Sequence, residues 1–287
     1  MTKKQLLNKL VHLLESEDES SNLTFGTALE RYIKSRENIL SPSTIRGYRI
    51  LQRNAFDVIN DIVLPEISKL VLQNWININA IKYASKTINN QFGLITAVLK
   101  QNHIEIETNS IRLKPKEPVN YIVPTPKEMS QIITAVYGDD IEIPILFALL
   151  LGLRQSEIQA LKWCNYRNCR IYIKGAKVPN EKNKLIEKNT NKRYKSTREI
   201  AIPDYLIHRL SEIEHKSEYI VNGLTPNMIL YRFYKLQAKH GMRRFTMHSL
   251  RHANASLMLQ LGIPDKYALE RLGQSTPYIL KTIYQHT

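Results

Sequence analysis

The sequence predicts a mainly α-helical chain with a small β-sheet, divided into two domains. Three observations carry that expectation. Apolar residues recur at helical spacing, as in Ile88, Phe92, Ile95 and Leu99. Strand-like alternation is confined to the middle of the chain, at residues 169–175 and 198–202. Four prolines, Pro115, Pro118, Pro124 and Pro126, fall within twelve residues and mark an extended linker in a chain of 287 residues, long enough for two domains.

Taken in order, residues 1–22 read as a short amphipathic helix carrying Leu6, Leu7, Leu10, Leu13 and Leu14, followed by an acidic tail. Residues 23–108 look helical throughout. Ser41-Pro42 supplies an N-cap and a first turn. In the helix that follows, Arg46, Arg49 and Arg53 are spaced by three and four, so they share a face away from Ile45, Tyr48 and Leu51. A second helix begins near Ser85 and leaves Lys86, Asn89, Asn90 and Lys100 beside its apolar stripe. The linker occupies 109–125, and Thr125-Pro-Lys-Glu128 reads as a capping box that opens the second domain, 126–287. There, the apolar run 145–151 reads as a core helix. The polar, lysine-rich stretch 176–194 reads as an enlarged, mobile hairpin between the two strands. From Asp204 the pattern is helical again, with Gly262-Ile-Pro264 breaking the chain before a short helix that holds Gln274.

Composition narrows the partners. Forty-one Lys and Arg against 26 Asp and Glu give a formal charge of +15 and a pI near 9.7. That field favours a polyanion, nucleic acid above all. No continuous apolar core follows the basic N-terminus, so no signal peptide is read. The longest apolar run is far short of the roughly 20 residues a spanning helix needs. A soluble, cytoplasmic protein without membrane contact is expected. Cys164 and Cys169 have no matched histidine pair and read as ordinary thiols, so no metal site is expected.

The chemistry is concentrated in a few residues. His248 and Arg251 are three apart and share a helix face, so both can point at one anion. Arg154 follows the apolar run directly, with Glu157 as a local counter-charge. A charge presented from such a place is costly to desolvate unless something fixed compensates it, and a phosphate would do so. Two guanidinium groups on one phosphate form a planar clamp, suited to the charge that builds on its non-bridging oxygens. Tyr284 lies near the end of the chain as a candidate nucleophile.

Together, Gly152-Leu-Arg-Gln-Ser-Glu157, His248-Ser-Leu-Arg251, Leu272-Gly-Gln-Ser275 and Tyr284-Gln-His286 resemble the tyrosine recombinase family, the phage and transposon integrases, in order and spacing. The resemblance runs from about Leu23 to the C-terminus. It implies a helical core-DNA-binding domain followed by an α+β catalytic domain. Arg154 and Arg251 would bind the scissile phosphate, and His248 would transfer a proton and hydrogen-bond beside them. The Tyr284 phenol would attack, leave a 3′-phosphotyrosyl bond and release a 5′-hydroxyl. Because the covalent link conserves the bond energy, neither ATP nor a metal or other cofactor is implied.

The family's lysine, a general acid toward the leaving oxygen, falls on Lys192 by its spacing to Ser196 and Arg198; Lys195 can also be aligned. Gln274 stands where most members have His or Trp. Its amide can donate to a phosphate oxygen but cannot carry a proton near neutral pH. His252 and His286 fit the family text without a chemical role. In the first domain the resemblance assigns DNA contacts to Arg46, Arg49, Arg53 and Lys86. It implies double-stranded DNA at specific recombination sites as partner, a homotetramer on paired sites, and accessory DNA-bending proteins. Residues 1–22 leave no room for a separate arm-site-binding domain. Two alternatives stay open: an accessory DNA-binding protein with a weakened active site, suggested by Gln274, and a type IB-like topoisomerase, which would relax supercoils without strand exchange.

Overall fold

The computed structural model describes residues 22–117, 121–189 and 197–274. The leucine-rich helix read at residues 6–14, Lys192, Lys195 and Tyr284 lie outside the described residues. The chain divides into two compact units, Met1–Pro118 with Pro179–Lys184, and Val119–Val178 with Leu185–Thr287.

The described part of the first unit is helical: α1 (Phe25–Lys34), α2 (Pro42–Asn54), α3 (Lys69–Lys82) and α4 (Ser85–Gln101). Thr24, Ser41 and Ser68 cap the first three of these, each accepting the backbone N–H of the residue three positions on. The stripe read from sequence on α4, Ile88, Phe92, Ile95 and Leu99, is buried against Phe25, Phe56 and Trp75. Trp75 satisfies its indole N–H on the Ala55 carbonyl at 2.9 Å, so the ring can be fully buried without an orphaned donor. The start of the proline-rich stretch packs on this unit. Ile111 is buried, Gln73 exchanges hydrogen bonds with both backbone groups of Arg112, and Lys114 donates to Ala80 O and Tyr83 O.

In the second unit, Thr125 and Glu128 form the capping box that starts α5 (Pro126–Val136). Next comes α6 (Glu142–Leu151), apolar on every side and buried on nearly every side, as a helix running through a core must be. Its one carboxylate, Glu142, is buried in a two-pronged pair with Arg209, 2.7 Å on each side. A short helix α7 (Gln155–Ile158) leads into β1 (Tyr166–Arg167) and β2 (Arg170–Ile173). After β3 (Gly175–Pro179), β4 (Leu185–Asn189) and β5 (Arg198–Ala201), the chain is helical again. These helices are α8 (Asp204–Ser211), α9 (Pro226–Lys239), α10 (Met247–Gln260) and α11 (Asp265–Leu272).

One sheet has the order β1-β2-β5, antiparallel, with Ile171 opposite Ile200 and Ile173 opposite Arg198. The strands read from sequence are therefore β2 and β5, with β5 on an edge. The stretch between them, expected to be an enlarged hairpin, does carry one: β3 pairs with β4 across a turn at 180–184. Polar composition hides only the bounds of its strands, because every residue of β3 is half-buried and none marks a core face. Helix α10 lies along α6 in the main core. A smaller cluster, Ala255, Met258, Ala268 and Leu272, seats α11 on α10.

Candidate active site

Two helices end at this site, and each end is made by a glycine in the left-handed region: Gly152 after α6 (φ 65°) and Gly273 after α11 (φ 59°). A helix C-terminus carries carbonyls without intrahelical partners and a partial negative charge. Arginines meet those carbonyls here. Around α11, Arg198 Nε donates to Arg271 O (2.7 Å), Arg251 Nη2 to Leu272 O (2.6 Å) and Arg154 Nη2 to Gly273 O (2.8 Å). Around α6, Arg251 Nη1 donates to Gly152 O (2.5 Å) and Arg271 Nη2 to Leu150 O (3.1 Å). Asn254 Nδ2 reaches both Leu149 O and Leu150 O at 3.0 Å. Arg251 therefore ties the two helix ends together.

One carboxylate lies among these cations. Glu157 Oε2 accepts from the backbone N–H of Arg154 and Oε1 from its Nη1, both at 2.8 Å. Arg198 grips the same carboxylate with two prongs, 3.0 and 2.9 Å. Burial would raise the Glu157 carboxyl; the Arg198 hydrogen bonds and charge, then Arg154, outweigh burial and hold it below its usual range. Of the two phosphate-clamp arginines named from sequence, Arg154 keeps 38% of its side chain exposed and Arg251 only 3%. Burial, followed by the neighbouring charge of Arg154, lowers Arg251 to about 9, still cationic at neutral pH.

His248 is the second residue of α10, whose N-terminus is capped by Thr246 and Ser249. The buried amide of Gln237 fixes the approach, donating to Phe245 O (3.0 Å) and accepting from Phe245 N (2.6 Å). One side of His248 is open to solvent, and its ring meets His252 edge-to-face at 4.3 Å. Partial desolvation, then the charges of Arg251 and Arg154, lower its pKa and favour the neutral imidazole, the form that can accept a proton. His252 is buried between His248 and Tyr121, its Nε2 without a hydrogen-bond partner among the described residues.

The sequence places Gln274 on a short helix; in the structure it lies just beyond the end of one. Gly273 turns the chain left-handed and ends α11 at Leu272; Gln274 follows, its N–H bonded to Leu269 O at 2.9 Å. That turn puts Gln274 directly after the carbonyl that holds Arg154. Its side-chain oxygen is buried without a partner among the described residues. Arg154, His248, Arg251 and Gln274 thus share one site.

Sequence reasoning missed Arg198, Arg271, Asn254 and Gln237 as parts of it. For Arg198 a signal existed: it alternates with Ile200 and Ile202, which places it on the inward face of β5. For the other three the partners are backbone carbonyls and amides, which no sequence pattern marks.

In the first unit, the candidate DNA contacts differ among themselves. Arg53 and Lys86 are exposed. Arg46 donates from Nε and Nη2 to Asn183 Oδ1 of the segment Pro179–Lys184, which groups with this unit. Arg49 is only 16% exposed and is engaged with Glu30, Glu37 and Gln52. Among the described residues no His, Cys, Asp and Glu cluster could hold a metal ion, and no helix is long and apolar enough to cross a membrane.

Known proteins share this architecture. The Tn1549 transposon integrase, solved with transposon right-end DNA, superimposes with a TM-score of 0.77 at 18% identity, over 92% of this chain and 96% of that one. A lambda integrase tetramer bound to a Holliday junction gives 0.71 at 17% identity, over 92% and 81%. A tyrosine recombinase XerC-like protein of Caldanaerobacter subterraneus subsp. tengcongensis is 25% identical over 206 residues, 60% of this chain. The chain spans about half, 52%, of that relative's length. The model of the phage integrase family matches residues 123–287, more than half of the sequence and all of the described site, and the chain belongs to that family of tyrosine recombinases.

Proposed function

We propose that this chain is a site-specific DNA recombinase that cleaves and rejoins strands through a 3′-phosphotyrosyl intermediate. The observation that carries the reading is the convergence of Arg154 and Arg251 on the C-terminal ends of α6 and α11, with His248 beside them at the start of α10. In this reading Arg154 and Arg251 stabilise the charge on the non-bridging oxygens. The Tyr284 oxygen attacks phosphorus as the bond to the 5′ oxygen breaks. The Tyr284 proton passes to a base, for which His248 is suited, and Lys192 or Lys195 protonates the leaving 5′ oxygen. Gln274 donates its amide N–H to a phosphate oxygen without taking part in proton transfer. The second partner strand's 5′-hydroxyl reverses the step and restores the phosphodiester.

The first unit supplies phosphate contacts from Arg46, Arg53 and Lys86, with Arg49 bracing the same helix. A charge of +15 supports a long DNA footprint. The solved relative on a Holliday junction is a tetramer. By analogy this chain acts as a homotetramer on paired double-stranded sites, with accessory DNA-bending proteins where those sites must be wrapped. The setting is the cytoplasm of a prokaryotic cell carrying the mobile element.

The test is covalent trapping on nicked DNA that spans the ends of the chain's own element, compared with Tyr284→Phe. An adduct present only with Tyr284 intact, together with exchanged strands, supports the reading. Specific binding with no adduct would point to an accessory DNA-binding protein. Supercoil relaxation with no exchange would point to a topoisomerase.

A further inference from the structure

Glu157 stands in an awkward place for a site that must hold a phosphate. Its carboxylate is 2.8 Å from Arg154 Nη1 and 4.0 Å from Arg251 Nη1. On its own it would cancel one of the two positive charges aimed at the phosphodiester, in surroundings where little water is present to screen it. Yet the same carboxylate fixes Arg154, through both the backbone N–H and the guanidinium. The site needs the hydrogen bonds of Glu157 and is harmed by its charge.

Arg198 resolves that conflict. Its fork takes both oxygens of Glu157, at 3.0 and 2.9 Å, in a pair whose side chains are 4% and 7% exposed. Its Nε is anchored on Arg271 O at 2.7 Å, which sets the plane of the fork. The position is tightly built. A Cβ on Gly273 would come within 2.7 Å of Arg198 Nη1. The charged groups that face Glu157 are Arg154 from its own turn, Arg198 from β5 and Arg251 from α10. Lys162, Lys174, Glu187 and Lys188 line the cavity on its remaining side.

We propose that Arg198 is a positioning residue for the phosphate clamp: it neutralises Glu157 from behind, so that Glu157 can hold Arg154 in place without subtracting from the charge the clamp presents to phosphate. The inference rests on the recombinase reading above. It separates two roles that a buried ion pair can have. A pair that merely stabilises the fold can be replaced by neutral groups of similar volume with no effect on chemistry. A pair that balances charge makes the loss of one partner reversible by removing the other.

The experiment compares wild type, Arg198→Met, Glu157→Gln and the double variant. Each is checked for a folded circular dichroism spectrum and then assayed for the rate of adduct formation on nicked DNA spanning the element ends. Arg198→Met is expected to be about a hundredfold slower than wild type, the scale of losing one transition-state charge contact. Adding Glu157→Gln to it is expected to recover at least about tenfold, because the two side chains are coupled rather than additive. The deficit of Arg198→Met is also expected to shrink as pH falls, since protonating Glu157 restores the clamp's charge.

A double variant no faster than Arg198→Met, or an Arg198→Met as fast as wild type, overturns the proposal. Should Arg198→Met not fold, the double variant is compared with Glu157→Gln: similar rates are expected, and a double variant far slower would overturn it. Carbon-13 NMR titration of Glu157 without DNA gives a readout independent of cleavage. Arg198→Met, or Arg198→Gln if the first does not fold, should raise its midpoint, and an unmoved midpoint counts against the proposal. If wild type forms no adduct, the recombinase reading fails, and the titration alone still decides whether Arg198 neutralises Glu157.

Discussion

Replacing Gly152 by alanine gives a perturbation whose size can be worked from the coordinates. Gly152 has φ of 65°, where an L side chain costs about 1 kcal/mol. A Cβ there would stand 2.6 Å from Leu272 Cδ2 and 2.7 Å from Asn254 Oδ1. Neither neighbour is well placed to yield. Leu272 is fully buried, and the Asn254 amide is held by the Leu149 and Leu150 carbonyls. Overpacking of this kind adds about 1–3 kcal/mol, for a total near 3 kcal/mol. Gly138 provides the control. Its φ is 75°, but nothing lies within 4 Å of an added Cβ, so only the backbone cost of about 1 kcal/mol applies. Urea unfolding of Gly152→Ala and Gly138→Ala should therefore separate them by about 2 kcal/mol. Because Gly152 O accepts from Arg251 Nη1, Gly152→Ala should also slow adduct formation, while Gly138→Ala should not. Equal destabilisation by the two alanines would refute the argument that α6, α10 and α11 meet tightly at Gly152.

Other tests follow from the same geometry. His252 is held down to about 4 by burial, then by His248 and Arg251, against an ordinary value of 6.5. Below pH 6.5 the unfolded chain therefore binds the extra proton, and stability present above that pH is lost as pH falls toward 4, by up to about 3 kcal/mol. His252→Phe should lose less stability between pH 7 and pH 4.5, as measured by urea midpoints; an unchanged loss would contradict this burial. Arg49, with Glu30 held at about 2 chiefly by its hydrogen bond, should act on the fold: Arg49→Ala lowers the urea midpoint. Arg53→Ala and Lys86→Ala should leave the midpoint alone and each reduce the salt slope of DNA binding by about 1. If Arg49→Ala matches Arg53→Ala in both respects, the bracing role is wrong. Gln274→His should alter the adduct rate by less than about tenfold; a gain of a hundredfold or more, the size of a restored acid–base contribution, would mean that the present site is decayed.

The helices were legible because their signals are local. Ser41-Pro42 and Thr125-Pro-Lys-Glu128 start helices where their capping chemistry requires, and the α4 stripe is buried residue by residue. The β3–β4 hairpin was legible in outline but its strand bounds were not, since half-exposed strands show no alternation. In the site, the order of Arg154, His248, Arg251 and Gln274 could be read because their chemistry is tied to residue type. What holds them could not. Arg251, Arg154 and Asn254 bond to backbone carbonyls, an acceptor every residue carries and no residue type marks, and Gly273 ends α11 before Gln274 although the helical spacing continues up to it. Arg49 shows the converse limit: its spacing matched Arg46 and Arg53, but acidic partners on other segments, Glu30 and Glu37, occupy it.

The most direct measurement is to map the protein–DNA bond. Adduct trapped on nicked element-end DNA would be digested with protease and nuclease, and the nucleotide-bearing peptide sequenced by mass spectrometry. The account expects a single modified residue, Tyr284, joined through its phenolic oxygen to a 3′-phosphate. Linkage to any other residue, or through a 5′-phosphate, would contradict it.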